Sequence, residues 1–398
     1  MQNYFHLLSS ILDNQPNRLL ISPSENKIVA SFGKYKTIKL EDFNNQDEFK
    51  TEVLRTLEEK KIVFASISFD TSTTSTKGSI WKDFPITEYF FPSYTIIFEN
   101  QKVKEFGLDK TLYEKIFNKS SRSDYKKKNF INKNQNESEK WVNLVQKAKN
   151  DISKSKLEKI VVGDSKKYKN IEINIKQTLM NMTKEYPDCI TFLYQNKNDY
   201  FFGSTPEKVF EYKNKKLTTD ALAGSIPNYG QNKDEIEKNF NNTTLIEEHK
   251  IVVEFLEEEL EKLSKNKINK SKLKIKSLRN INHLLIELET NIEDNNFFEF
   301  IDHLHPSPAL AGFPVEQAKE WIKNNEPFDR GLYTGSIGYV ENDSSYFFAG
   351  LRCAKYSSKY KELISFAGNG IIENSKVKYE IEELNSKFDA INKSILEE

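Results

Sequence analysis

Closely spaced acidic side chains are the first candidates for chemistry in this chain. Glu247 and Glu248 precede His249 where a strong helical period begins, and Glu380 and Glu383 stand three residues apart in a second helical run, so the latter two share a helix face. Carboxylates near helix N-termini are common because the dipole favours them, which is explanation enough for either pair alone. If the two helices converge, the same residues present the hard oxygen ligands that Mg²⁺ takes, with a substrate anion and water completing its shell. Glycines suggest a second chemistry. Ala223-Gly224-Ser225 and Ala367-Gly368-Asn369-Gly370 adjoin β-like runs and read either as tight turns or as places where backbone N–H groups approach an anion. Arg352 follows the apolar run 347–351, where a guanidinium must point outward or meet an anion, because an unpaired buried charge is costly. The chain has only six Arg against a large excess of Lys and Asn, which directs attention to each one. Lys159 and Glu207 carry no signal alone, and His305, in Leu304-His305-Pro306-Ser307-Pro308, reads as a structural histidine in a rigid turn.

The elements that must position these residues are partly legible. Short β-type runs at 19–22, 27–32, 62–69 and 94–99 occupy the first 115 residues, separated by polar turns. The segment 120–136, with Lys126-Lys127-Lys128 and many Asn, reads as an exposed connector. It divides an N-terminal part, 1–119, from the region 137–398 that holds the candidates. Trp141, Leu144, Val145, Ala148 and Ile152 mark an amphipathic helix. Strands are expected at 159–162, 190–194, 200–203, 209–212, 346–354 and 362–366. A long helix is signalled by His249, Val252, Val253, Leu256, Leu260 and Leu263, and another follows Pro314 with Val315, Ala318 and Ile322 in register. The last helix carries Ile381, Leu384, Phe388, Ile391 and Ile395. No repeat at a solenoid period occurs. Mixed order without a strict βαβ rhythm implies an α+β or mixed α/β unit with antiparallel sheets.

Composition narrows the classes. The 398 residues include 28 Phe and 18 Tyr for building cores, and 59 basic residues balance 59 acidic ones, so no global field exists to hold a polyanion and a nucleic-acid partner is not expected. Cys189 and Cys353 both lie in apolar runs, which suits buried thiols in a reducing compartment. No basic leader with a long apolar stretch opens the chain and no window has about 18 apolar residues. A cytoplasmic protein without a membrane partner is the expectation.

In this order and spacing, the pieces together resemble the chorismate-utilising enzymes: isochorismate synthase, salicylate synthase, anthranilate synthase component I and aminodeoxychorismate synthase. The likeness covers roughly 138–387 and runs through Glu158-Lys159-Ile160-Val161-Val162, Phe202-Gly203-Ser204-Thr205-Pro206-Glu207, Thr219-Asp220-Ala221-Leu222-Ala223-Gly224-Ser225, Glu248-His249 and His283-Leu284. It continues through the 304–314 segment, Arg330-Gly331-Leu332-Tyr333-Thr334-Gly335, Leu351-Arg352, Ala367-Gly368-Asn369-Gly370-Ile371-Ile372, and Glu380 to Lys387. No single motif is decisive, but the ordered set is specific. The resemblance implies one large α/β (α+β) domain with antiparallel sheets packed as a sandwich, flanked by helices, and a site in the cleft between them.

Two positions speak to the nucleophile. Aminodeoxychorismate synthases place a nucleophilic Lys where this chain has Ala223, and water-using members carry a Lys matched by Lys159. The 304–314 segment and Gly335-Ser336-Ile337-Gly338-Tyr339 look most like isochorismate synthases, a type that serves menaquinone or catechol siderophore biosynthesis. The implied activity is therefore a Mg²⁺-dependent isomerase converting chorismate to isochorismate, with no glutamine amidotransferase subunit. In that scheme Lys159 is the general base and Glu207 the general acid. Glu248 and Glu383 hold the Mg²⁺ with Glu380 in support. Arg352, Tyr333 and the backbone around Gly224, Gly368 and Gly370 hold the enolpyruvyl side, and His283 orients the ring carboxylate. Salicylate synthase, which goes on to eliminate pyruvate, and an inactive chorismate-binding homologue are the alternatives. Three departures from the family pattern stand out: Thr244 where a Lys is usual, Ile286 where a Thr or Ser is expected, and Asn369 where Ala is usual.

Overall fold

Runs such as Lys27–Phe32, Ile62–Ile67 and Thr87–Phe91 are buried at every position, the pattern of strands covered on both faces rather than on one. In the computed structural model of the protein, which describes residues 2–72, 80–118, 139–228, 230 and 243–395, these runs build two large antiparallel sheets. The first has the order Gly312–Phe313, Lys159–Lys169, Glu362–Ile372, Cys353–Ser357, Asp199–Thr205, Ile190–Asn196, Arg18–Ser22, Lys27–Phe32, Tyr94–Glu99 and Lys102–Phe106. The second runs Asn269–Lys270, Ile281–Asn291, Lys216–Pro227, Lys208–Lys213, Ser344–Ala349, Ser336–Glu341, Ile62–Ile67, Thr87–Phe91 and Lys36–Lys39, with Lys274–Ser277 added beside Ile281–Asn291.

The sheets face each other across an aromatic core that takes Leu20, Val29, Phe192 and Phe201 from the first and Phe64, Phe90, Ile337 and Tyr339 from the second. Tyr194 pins them together: its hydroxyl donates toward Ala65 O at 2.9 Å and accepts from Gly338 N at 3.0 Å. Helices cover the outer faces. Gln2–Asp13 and Ile175–Glu185 pack on the first sheet, while Gln46–Lys60, Thr243–Leu263 and Phe297–Leu304 pack on the second. In the long helix Val252, Leu256 and Leu260 are buried at a four-residue spacing, the stripe its apolar period predicts. Glu139–Ile152, Val315–Asn325 and Val377–Asn392 share a further core with the Lys159 strand. The result is a single domain of mixed helices and large antiparallel sheets.

Several expectations change. The run 346–354 is not one strand: Ser344–Ala349 belongs to the second sheet and Cys353–Ser357 to the first, with Gly350-Leu351-Arg352 crossing between them. Neither glycine segment is a turn. Residues 367–370 lie within Glu362–Ile372, paired along its whole length with Lys159–Lys169. Gly224 forms a bulge within Lys216–Pro227 at φ +65°, a conformation that favours glycine. The helices Gln2–Asp13, Gln46–Lys60, Lys110–Asn118, Ile175–Glu185 and Phe297–Leu304 go beyond those the sequence pattern signals. The final helix ends at Asn392, so Ile395 is buried beyond it. Residues 1–119 supply strands to both sheets, Arg18–Ser22 pairing with Ile190–Asn196 and Ile62–Ile67 with Ser336–Glu341. The connector expected at 120–136 falls outside the described residues. Among those described, no helix is long and apolar enough to cross a membrane.

Candidate active site

Two chain crossings between the sheets lie side by side. The chain leaves the first sheet after Asp199–Thr205, passes Pro206-Glu207, and enters the second at Lys208–Lys213; it returns through Gly350-Leu351-Arg352. Ser204 N donates to Arg352 O at 3.1 Å and Ala349 N to Glu207 O at 3.1 Å, so the crossings are bonded to each other. Glu207 and Arg352 are thereby brought to one cleft with Lys159, Glu248, His283, Tyr333, Gly368, Gly370 and Glu383. The space in the cleft that water can occupy is about 70 Å³.

Lys159, at the start of its strand, is 1% exposed, and its Nζ lies 3.0 Å from Glu248 Oε1 on the long helix. Gly370, from the neighbouring strand, is what lets this pair form. A Cβ there would fall 2.6 Å from Lys159 Cε and run into the Glu248 carboxylate. The need for glycine is tertiary contact, not a turn. Glu207 is buried, and burial pushes its carboxyl up to about 8, with Asp220 adding to the rise and Lys159, Lys276 and Arg352 opposing it. It is therefore a neutral acid near pH 7.

Arg352 adopts φ +46° at its corner and is buried. Its Nη2 donates to His283 Nε2 at 2.9 Å. Since the guanidinium has no acceptor, His283 is the Nδ1–H tautomer and donates to Ser225 Oγ at 2.8 Å. Burial and the Arg352 charge hold the His283 imidazolium well below its usual range, so the ring is neutral. Among the described residues Arg352 has no carboxylate partner, which leaves its remaining N–H groups for an anion in the cleft. Tyr333 lines the same cleft with its ring stacked on Phe366, centroids 5.3 Å apart, and Trp81 stacks on Phe366 at 5.4 Å. Burial pushes the Tyr333 phenol far up, so its hydroxyl keeps its proton. Gly224 packs against the long helix at Leu245 O.

Glu380 and Glu383 come from the last helix. Burial pushes Glu380 up to about 8, with Glu383 and Glu248 adding to it; Glu383 is also raised, by burial first and by Glu248 among its neighbours. The three acids are thus within electrostatic reach of one another. Among the described residues they do not form a closed ligand set: Glu248 is paired with Lys159, and Glu383 with Lys387 at 2.6 Å. Mutually repelling carboxylates from two helices, beside an open cleft, nonetheless suit a hard divalent cation that takes few protein ligands.

Other residues join the site without having been singled out. Lys387 donates to Gly368 O at 2.7 Å and to Asn369 Oδ1 at 3.1 Å, and Lys276 donates to Pro206 O at 2.7 Å. A lone lysine among so many gives no signal in sequence. The departure at Asn369 has a definite place: its Nδ2 donates to Glu380 O at 2.7 Å and to Glu380 Oε2 at 3.0 Å. Ile286 packs into the core under the long helix, away from the cleft, and the Thr244 side chain lies outside those described. His305 is structural, as expected, with Nε2 donating to Thr334 O at 2.9 Å. Arg330 is structural as well, held by Glu326 and by Leu310 O and Val161 O. Both thiols are buried.

Two helix-borne acids, a buried base candidate, a neutral acid and an anion-seeking arginine around one seam match one known class. The chain belongs to the chorismate binding enzyme family, which it matches over residues 2–396. It is 30% identical over 257 residues to the isochorismate synthase MenF of Haemophilus influenzae, covering 62% of this chain and 58% of that protein. To isochorismate synthase 2, chloroplastic, of Arabidopsis thaliana it is 34% identical over 200 residues, covering 49% of this chain and 35% of the relative. The chain spans about a third to three-fifths of the length of these curated relatives. The solved structure of MenF, the menaquinone-specific isochorismate synthase from Escherichia coli, has the same fold: TM-score 0.79 at 20% identity, over 97% of this chain and 90% of that one.

Proposed function

We propose that the protein is an isochorismate synthase, converting chorismate to isochorismate with water as the nucleophile. The observation that carries this reading is that Lys159 and Glu207 line one cleft, with Glu207 kept protonated by burial. Lys159 takes a proton from water as its oxygen bonds to ring C2. The double bonds shift, the C4–O bond breaks, and Glu207 gives its proton to the departing hydroxyl, which leaves as water. In the present state Glu248 holds the Lys159 ammonium, so the base form requires that contact to open. Ala223, which lines the cleft, offers no amine for a covalent adduct. Arg352 and Tyr333 hold the enolpyruvyl carboxylate, which the reaction leaves intact; His283, expected to orient the ring carboxylate, has both ring nitrogens engaged by Arg352 and Ser225 and instead keeps Arg352 aimed. Glu248 and Glu383 would hold Mg²⁺, with Glu380 in support, and the bound ion would supply Lewis-acid polarisation of the ring carboxylate.

The test is purified protein with chorismate and Mg²⁺, without ammonium, and the products separated by chromatography. Isochorismate in an equilibrium mixture, reached from either side and abolished by EDTA, is expected. Stoichiometric pyruvate with salicylate would instead select salicylate synthase, an ammonium-dependent aromatic amine would overturn the water nucleophile, and binding without turnover would mean an inactive homologue.

A further inference from the structure

Glu207 reaches the cleft on a crossing of two residues, too short to fix a carboxyl by its own backbone bonds. The crossing is tied to Ala349, at the end of Ser344–Ala349. From the side of the second sheet, the Lys276 ammonium donates to the Pro206 carbonyl at 2.7 Å. Lys276 lies on the short strand Lys274–Ser277, directly opposite His283, and is half-buried without lining the cleft. The other lysines around the seam are committed to carboxylates: Lys159 to Glu248, Lys208 to Asp220 and Lys387 to Glu383. Lys276 directs its charge at a backbone carbonyl one residue from the acid.

We propose that Lys276 is a positioning residue for Glu207, clamping the crossing that carries the acid and setting a fixed positive charge against it from behind. This rests on Glu207 being the general acid. The charged groups facing Glu207 are Lys159, Arg352 on the adjoining crossing, Asp220 on the adjacent strand, and Lys276. Lys159 gains and loses a proton during turnover, and Arg352 is neutralised whenever a substrate carboxylate binds. Lys276 is the cation that neither event touches. Burial alone drives a carboxyl toward too weak an acid, and a constant opposing charge keeps its proton affinity near the working pH, where a general acid is most effective.

The experiment follows the Glu207 proton directly. In the full chain, the infrared band of the protonated carboxyl, assigned by its loss in Glu207→Gln, is titrated with pH in the wild type, Lys276→Met and Lys276→Arg. Lys276→Met should move the midpoint up by about half to one pH unit, roughly a 3–10-fold gain in proton affinity, from loss of one nearby charge. Lys276→Arg should restore it. An unchanged midpoint in Lys276→Met, with only a lower Tm, would reduce Lys276 to a structural clamp and overturn the proposal; so would an equal shift in Lys276→Arg. If Lys276→Met does not fold, Lys276→Gln keeps a donor for Pro206 and removes only the charge, and the midpoint must rise there too. The titration needs no turnover, so a wild type inert toward chorismate would sink the reaction assignment while leaving this result readable.

Discussion

Arg330 and Arg352 are buried to a similar degree, 4% and 9% exposed, yet their guanidinium groups are served very differently. Arg330 donates through Nε and Nη2 to both oxygens of Glu326, through Nη1 to Leu310 O at 2.9 Å, and through Nη2 to Val161 O at 2.7 Å, with the Phe69 ring 4.6 Å away. Arg18 also has a carboxylate, Glu88 on Nη2, and donates through Nη1 to Asn17 O beside the rings of Phe90 and Tyr194, with Nε alone lacking a partner among the described residues. Arg352 has His283. A guanidinium carries five N–H donors, and interiors satisfy such groups where the fold alone needs them. The difference separates charges that hold the fold together from charges set out for a ligand, and it locates the site without reference to any relative.

That contrast breaks first at Lys159. If the seam serves chemistry rather than stability, Lys159→Ala should lower turnover by up to about 10⁴-fold while chorismate affinity by calorimetry stays within a few-fold. Near wild-type turnover would remove Lys159 from the reaction. The two arginines sharpen the contrast. Arg330→Ala strands Glu326 as a buried unpaired charge and should cost about 3–5 kcal/mol in denaturant unfolding, whereas Arg352→Leu should stay within about 1 kcal/mol of the wild type and weaken chorismate binding roughly 10²-fold. Equal losses of stability in both would erase the distinction. For Glu207→Gln a turnover loss of roughly 10²-fold is expected. The pH profile gives the sign: the proton on Glu207 is present below about 8 and lost above it, so wild-type turnover should fall as pH rises through that value, and Glu207→Gln should lack this limb. The smallest effect belongs to Asn369→Ala, which frees the Glu380 carboxylate; the Mg²⁺ concentration for half-maximal turnover should rise about 3–10-fold, as for loss of one or two hydrogen bonds to a charged group.

The sequence was most legible where local rules decide structure. The helices at Trp141 and His249 follow a 3.6-residue apolar stripe, and the strands at 27–32 and 94–99 match their predicted bounds. It was least legible at the seam, for two physical reasons. The run 346–354 is buried on both sides of its break, so no alternation marks where it changes sheets, and only Gly350 hints at it. Gly370 is glycine because Lys159 and Glu248 approach it, a cause that lies 211 and 122 positions away in sequence and looks locally like a turn. The helix Gln46–Lys60 was missed for the opposite reason: Phe49, Val53, Thr56 and Leu57 make a narrow stripe in an otherwise charged segment. The candidate site residues entered through an ordered resemblance; pairing, tautomer and the parts played by Lys276, Lys387 and Asn369 needed the fold.

The reciprocal bonds between the two crossings have a mechanical consequence. Facing sheets in a sandwich slide over one another more readily than bonded strands part, and in most such architectures a sliding motion would change the distance between groups carried on opposite layers. Here Ser204 is tied to Arg352 and Ala349 to Glu207, so acid and arginine ride on two short crossings bonded to each other. Shear of the layers carries both together, and the gap between them is gauged by two peptide hydrogen bonds rather than by the alignment of the sheets.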